Sequence, residues 1–206
     1  MNIEIRSDTE VFISGYVNVT EKRSRPVITP HGRVVEIIEP RAFAGAIERA
    51  DNITLNVDHD KGKTYAGTAD GSLKLTEDAI GLRAETTIRD PALVEDAREG
   101  RIRGWSFGMY HVQDDLEPRA DDLPVRHIRA MDLDHVSLIV HQTPVYSATS
   151  VEVRADETEE VWSEARSFAD HAEVVDKRPV PEEKRADDGS LDRARRRIQL
   201  VRAQRR

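Results

Sequence analysis

Before residue 155 the chain repeats short stretches in which apolar and polar residues alternate, and this pattern most constrains its fold. The stretches "EVFISGYVNV" (10–19), "ITLNV" (53–57), "SLKLTEDAIGLRAETTI" (72–88) and "LDHVSLIV" (133–140) read as strands. The third predicts a hairpin turning around Thr76, Glu77 and Asp78. Only two stretches read as helices. "PRAFAGAIERA" (40–50) opens with a proline suited to a first helical turn and places Phe43 and Ile47 four residues apart. "DPALVEDAREG" (90–100) offers Asp90 as N-cap, Pro91 at the first helical position and Gly100 as a stop. Many short strands, few helices and no strand–helix–strand rhythm predict an α+β, mainly β fold: an antiparallel closed or nearly closed β-barrel with a few accessory helices.

Composition then divides the chain. Residues 1–154 read as the folded domain. The stretch 155–176 holds eight acidic residues and one basic one, and the prolines and charges of "KRPVPEEKRADDGS" follow, so 155–189 reads as an acidic, flexible linker. From Ser190 to Arg206 there are seven arginines and one aspartate, with Leu191, Ala194, Ile198 and Val201 at helical spacing. Residues 190–206 therefore read as a basic amphipathic tail, which is a solvated end or a docking segment. The net charge of −8 argues against general nucleic-acid binding. The N-terminus lacks a basic segment followed by an apolar run, and no window approaches the length of a spanning helix, so a soluble cytoplasmic protein without membrane contact is expected. No cysteine is present, which leaves oxygen or lysine as the only nucleophiles.

The stretch "GWSFGM" (104–109) contains G-x-S-x-G, the frame in which many hydrolases present a nucleophilic serine. The nucleophile elbow of α/β-hydrolases needs a helix directly after the serine. Here "FGMYHVQDDLEPRADDLP" begins extended and carries Gly108, Pro118 and Pro124, so that context is missing. A serine hydroxyl also needs a histidine to take its proton and a third group to orient that histidine. Of the seven histidines, His59 sits in "NVDHDKG" just past an apolar strand, and His135 sits inside an apolar strand. His31 looks like a turn residue, His111 and His127 flank the polar loop after Ser106, and His171 lies in the acidic tail. His141 ends the last apolar strand.

Taken in order, "GYVNVTEKRSRPV", "EIIEPRAFAGAI", "ITLNVDHDKGKTYAGT", "GSLKLTEDAIGLRAETTI", "GRIRGWSFGMY" and "LDHVSLIVHQTPVYSATSVEVR" resemble the prohead serine proteases of tailed bacteriophages, which share fold and ancestry with the herpesvirus assemblins. The resemblance runs from about Gly15 to about Val153. It implies Ser106 as nucleophile and His59 as general base. The third member falls just before V-S-L, where phage relatives often have a carboxylate and the herpesvirus enzymes a histidine. Here His135 stands there, preceded by Asp134 and Asp132. Strict strand alternation puts His135 on a face with Met131, Leu133, Ser137 and Ile139, and turns Asp134 the other way. His135 is thus the first choice for the orienting residue and Asp134 the second. A neutral histidine stabilises a developing imidazolium less than a buried carboxylate does, so a slower triad than Ser-His-Asp is expected. Asp58 and Asp60 flank His59 and are expected either to raise its pKa or to be solvated.

The resemblance further implies a serine endopeptidase of phage head maturation that needs no cofactor or metal. It would work inside the assembling prohead in the host cytoplasm, cutting the termini of scaffold and major capsid protein and also itself. Oxyanion donors are expected around His141 and Gln142, and self-association is compatible with the family. Two other readings stay open from the residues: a non-catalytic assembly or scaffold protein that keeps the fold, and a metal site built from Asp58, His59, Asp60 and His135.

Overall fold

The computed structural model describes residues 1–29, 32–141 and 172–178. Two sheets face a common core, and two helices pack with them. One sheet contains β1 (Asn2–Ile5), β2 (Val11–Val19), β7 (Leu73–Glu77), β8 (Gly81–Ile88) and β11 (Glu173–Asp176), in the order β11-β1-β2-β8-β7. The other contains β3 (Val27–Thr29), β4 (Gly32–Ile38), β5 (Thr54–Val57), β6 (Ala66–Gly67), β9 (Gly104–Glu117) and β10 (Val125–Ile139). Its path is β3-β4-β10-β5-β6, with β9 along the opposite edge of β10. The fold among the described residues is therefore mainly β with two helices, as the alternation predicts. Among the described residues, however, no hydrogen-bonded ring closes the sheets into the expected barrel. Nor is every pairing antiparallel: β10 runs parallel to β4 and β5, and β1 runs parallel to β11.

The length of β10 explains this arrangement. Fifteen residues at about 3.3 Å each outreach either short neighbour. Val125–Ile128 pair with β4 and His135–Leu138 pair with β5 on the same edge. α1 (Ala42–Arg49) joins those two strands, and the Arg49 Nη2 donates to the Met131 carbonyl at 2.7 Å, satisfying an acceptor in the gap between them. The first half of β10 looks polar in sequence because it carries Arg126. That guanidinium is buried, bonds the equally buried Glu36 at 3.1 Å and also meets Asp114. The Arg126–Glu36 pair locks β10 to β4.

Both helices form close to where the sequence places them, with different N-terminal chemistry. α2 (Pro91–Arg98) has Asp90 accepting from the Leu93 N–H at 3.0 Å, with Pro91 at the first helical position, as expected. In α1, Pro40 precedes the helix, and Arg41 is the N-cap residue, with φ 72° and no side-chain bond of its own. The cap comes from another element: the Glu77 carboxylate accepts from the Arg41 and Ala44 N–H groups at 2.7 and 2.6 Å. The β7–β8 hairpin turns at Asp78–Ile80, slightly later than expected, because Asp78 Oδ1 accepts from the N–H groups of Ile80 and Gly81.

β9 alternates between two functions. Trp105, Phe107 and Met109 enter the core, where Phe107 meets Phe43 edge to face at 5.3 Å and Trp105 reaches the backbone of β2. A Cβ on Gly15 would lie 3.2 Å from Trp105 Nε1, so glycine gives the two sheets room to approach there. Ser106 and Gly108 occupy the opposite face. In the acidic stretch, residues 172–178 are described, and Glu173–Asp176 add a strand to β1. Residues 190–206 lie outside the described residues.

Candidate active site

Ser106 and His135 are brought together by the β9–β10 pairing. Ser106 lies opposite Ser137, and Gly108 opposite His135. β5 delivers His59 from the other edge of β10, where Asn56 pairs with Ser137 and Val57 with Leu138. The strand then ends in a tight turn with two consecutive residues in the left-handed region, Asp58 at φ 50° and His59 at φ 59°. This conformation is costly for side chains with a Cβ and persists only where neighbours hold it. Here the Asp58 N–H donates to the Leu138 carbonyl and the His59 N–H donates to Ser137 Oγ, at 2.8 and 3.0 Å. The Asp58 carboxylate accepts from the Val140 and His141 N–H groups, both at 2.8 Å. Asp58 thus ties the histidine turn to the end of β10, a task its place beside His59 does not reveal.

The result is a hydrogen-bonded series. Ser106 Oγ lies 3.0 Å from His59 Nε2, His59 Nδ1 lies 2.7 Å from His135 Nε2, and His135 Nδ1 lies 2.8 Å from Asp134 Oδ2. Lys61 Nζ closes the series 3.2 Å from Asp134. Strand alternation places Asp134 away from His135, yet the two side chains meet. The register slips between Leu133 and His135: these residues face Met109 and Gly108, so Asp134 is the extra residue of a β-bulge. A bulge breaks the alternation and re-aims a side chain, so both the first and second choices for the orienting residue enter one series.

The imidazole of His59 is mostly enclosed. Burial first, and then the neighbouring His135, push its pKa down to about 4, with Asp58 opposing weakly. Asp58 acts upward, as expected of a flanking aspartate, but desolvation outweighs that one nearby charge. Burial also opposes the charge on Asp134, but the hydrogen bond from His135 and the contacts with Lys61 outweigh it and hold that carboxyl below its ordinary range. The site therefore rests as a neutral His59 with an ionised Asp134. A neutral imidazole is the form that accepts a proton from serine. The acid limb of kcat/KM on a peptide substrate is expected near pH 4 rather than at the 6.5 of a free histidine. A midpoint near 6.5 in a pH–rate profile would contradict this. The same shift has a stability consequence, since the unfolded chain binds the extra proton between these two values. The contribution is complete above 6.5 and is lost as pH falls toward 4.

Of the remaining candidates, His141, His111, His127 and Asp60 fall within the described residues. The His141 N–H is engaged by Asp58 and its ring lies 3.7 Å from Asp96, while Gln142, His31 and His171 fall outside the described residues. His111 and His127 lie in β9 and β10 themselves, because the polar segment after Ser106 continues as a strand to Glu117. His111 contacts Asp132 at 3.0 Å. His127 bridges Glu39 and Glu117, and the Glu39 hydrogen bond above all raises its pKa. Asp60 bonds the Gly62 N–H within its own turn. Among the described residues no group of three or more metal-ligating side chains forms, and no helix is long and apolar enough to cross a membrane. Ser137, which accepts the His59 N–H, carries no chemical signature that marks it in sequence, and the parts played by Gly108 and Asp58 differ from those their motifs suggest.

A serine at the end of two imidazoles in hydrogen-bond series, on a mainly β scaffold and without an elbow helix, is the arrangement of a serine protease. The model of the caudovirus prohead serine protease family matches residues 1–164, and the chain belongs to that family. No curated protein matches the chain. Membership makes the protein a serine peptidase that acts in the assembling phage capsid in the host, with capsid proteins as its class of substrate.

Proposed function

We propose that Ser106, His59 and His135 form a Ser-His-His acyl-transfer site, with which the protein cuts the termini of scaffold and major capsid protein, and its own chain, inside the prohead. The observation that carries the reading is the 3.0 and 2.7 Å series from Ser106 through His59 to His135. Ser106 Oγ attacks a peptide carbonyl while His59 Nε2 takes the hydroxyl proton. The imidazolium returns that proton to the leaving amine, and water repeats the steps to release the acyl group from Ser106. His135 accepts from His59 Nδ1–H throughout, which fixes the ring and stabilises its transient charge.

Ser106 is fully buried. The test is co-expression with the major capsid protein of the same phage, followed by mass spectrometry of all termini and treatment with a fluorophosphonate. New termini on the capsid protein and an adduct on Ser106 are the expected result. Unprocessed partners and an unlabelled Ser106 in assembled proheads would overturn the assignment in favour of a non-catalytic assembly protein.

A further inference from the structure

We propose that Asp134 is the positioning residue that sets the working tautomer of the whole series, an inference that rests on the Ser-His-His reading. The ring nitrogens of His59 and His135 are hydrogen-bonded in series between Ser106 and Asp134, so the proton positions are coupled. An ionised carboxylate only accepts. With Asp134 at 2.8 Å, His135 carries its proton on Nδ1 and presents a bare Nε2 to His59. His59 then carries its proton on Nδ1, donates it toward His135, and presents a bare Nε2 to the Ser106 hydroxyl. Every donor in the row points toward Asp134.

The opposite order is inert. If His135 held its proton on Nε2, it would donate to His59 Nδ1. His59 would then carry a proton on the nitrogen facing Ser106, leaving no base there. Asp134 is the member of the row that can only accept, and it therefore selects between the two orders. Asp134 takes no proton in the cycle: the serine proton moves to His59 Nε2 and on to the leaving amine, while both Nδ1–H bonds stay intact. Lys61 lies on the outer side of Asp134, where both side chains are nearly half exposed, so solvent screens its share in holding the carboxylate. The β-bulge gives the arrangement its structural reason, because a regular strand would have turned Asp134 away from the ring.

The test uses the full chain in two arms. Nitrogen-15 NMR of the histidine rings is expected to show His135 as a single Nδ1–H tautomer in the wild type, and a mixture of tautomers in Asp134→Ala and Asp134→Asn. Co-expression with the capsid protein is expected to show processing slowed about ten- to a hundredfold in both variants, through kcat rather than KM. Asparagine keeps the size of aspartate but presents either an oxygen or an N–H₂ to the ring. A packing role is rescued by Asn, whereas the tautomer role is not. Lys61→Ala is expected to slow processing no more than about threefold. The proposal is overturned if His135 keeps one Nδ1–H tautomer without Asp134, or if Asp134→Asn processes at the wild-type rate. A wild type that neither cuts nor labels at Ser106 refutes the protease reading instead, and the NMR arm then still decides on Asp134.

Discussion

Replacing Ser106 by alanine is expected to lower the rate of peptide cleavage by about 10⁶-fold while leaving the fold intact. The hydroxyl is the only atom of the series that forms a bond to substrate, and no cysteine elsewhere offers a substitute nucleophile. The residue is fully buried against Ser137 and His59, so losing one oxygen removes a single hydrogen bond at a cost of about 1 kcal/mol. His59→Ala should cost nearly as much, and Ser106→Ala combined with His59→Ala should cost little more than either alone. The two residues act as one unit, since an attacking serine without its base is as idle as a base without its serine. The measurement is single-turnover cleavage in co-assembled proheads, with capsid termini read by mass spectrometry. If Ser106→Ala proheads are processed at even a hundredth of the wild-type rate, the nucleophile is another residue. If the two losses multiply, the residues do not share one step.

The sequence shows the series in outline because its members sit at the ends and centres of well-marked strands. His59 follows "ITLNV", His135 begins "HVSLIV", and Ser106 is flanked by core residues on both sides. What it hides are the irregularities that make these strands converge. Two left-handed residues at Asp58 and His59 turn the imidazole back over β10, and nothing in D-H-D distinguishes such a turn from a solvated strand end. The bulge at Asp134 inverts the most natural use of alternation, and a bulge is visible only once the opposing strand is known. That no hydrogen-bonded ring closes the sheets among the described residues has a similar reason. The first half of β10 carries Arg126 and Arg129 and lies before the strand that the pattern marks at 133–140, but Arg126 is neutralised by Glu36, a residue 90 positions away, so the strand starts earlier and captures β4 in parallel. The capping of α1 by Glu77 is also non-local. Local pattern reports which face of a strand is apolar, and distant partners decide where the strand ends.

Gly108→Ala is expected to reduce cleavage between about 10² and 10⁴-fold, although it adds only a methyl group at a residue that takes no part in the chemistry. A Cβ on Gly108 would lie 2.4 Å from Cε1, 2.8 Å from Nδ1 and 3.1 Å from Nε2 of His135. No carbon approaches an aromatic ring so closely, so the imidazole must move by about an ångström or more, and both its nitrogens move with it. The 2.7 Å contact with His59 and the 2.8 Å contact with Asp134 cannot both survive that displacement. His59 then keeps its serine but loses the group that orients it. The strand itself should tolerate the change, because the φ of Gly108 is not in the left-handed region and alanine adopts extended backbone readily. The signature is therefore a folded protein whose thermal midpoint falls by several degrees, as overpacking by one buried methyl group costs about 1–3 kcal/mol, with an intact Ser106 and a collapsed kcat. Gly108→Ala combined with His135→Ala should recover part of the loss, since removing the ring removes the clash, and its rate should approach that of His135→Ala alone. If Gly108→Ala instead cuts at the wild-type rate, the ring is free to move without consequence, and His135 does not orient His59. On this account the second glycine of G-x-S-x-G serves as the seat of the second imidazole, and only a residue without a side chain fits beneath it.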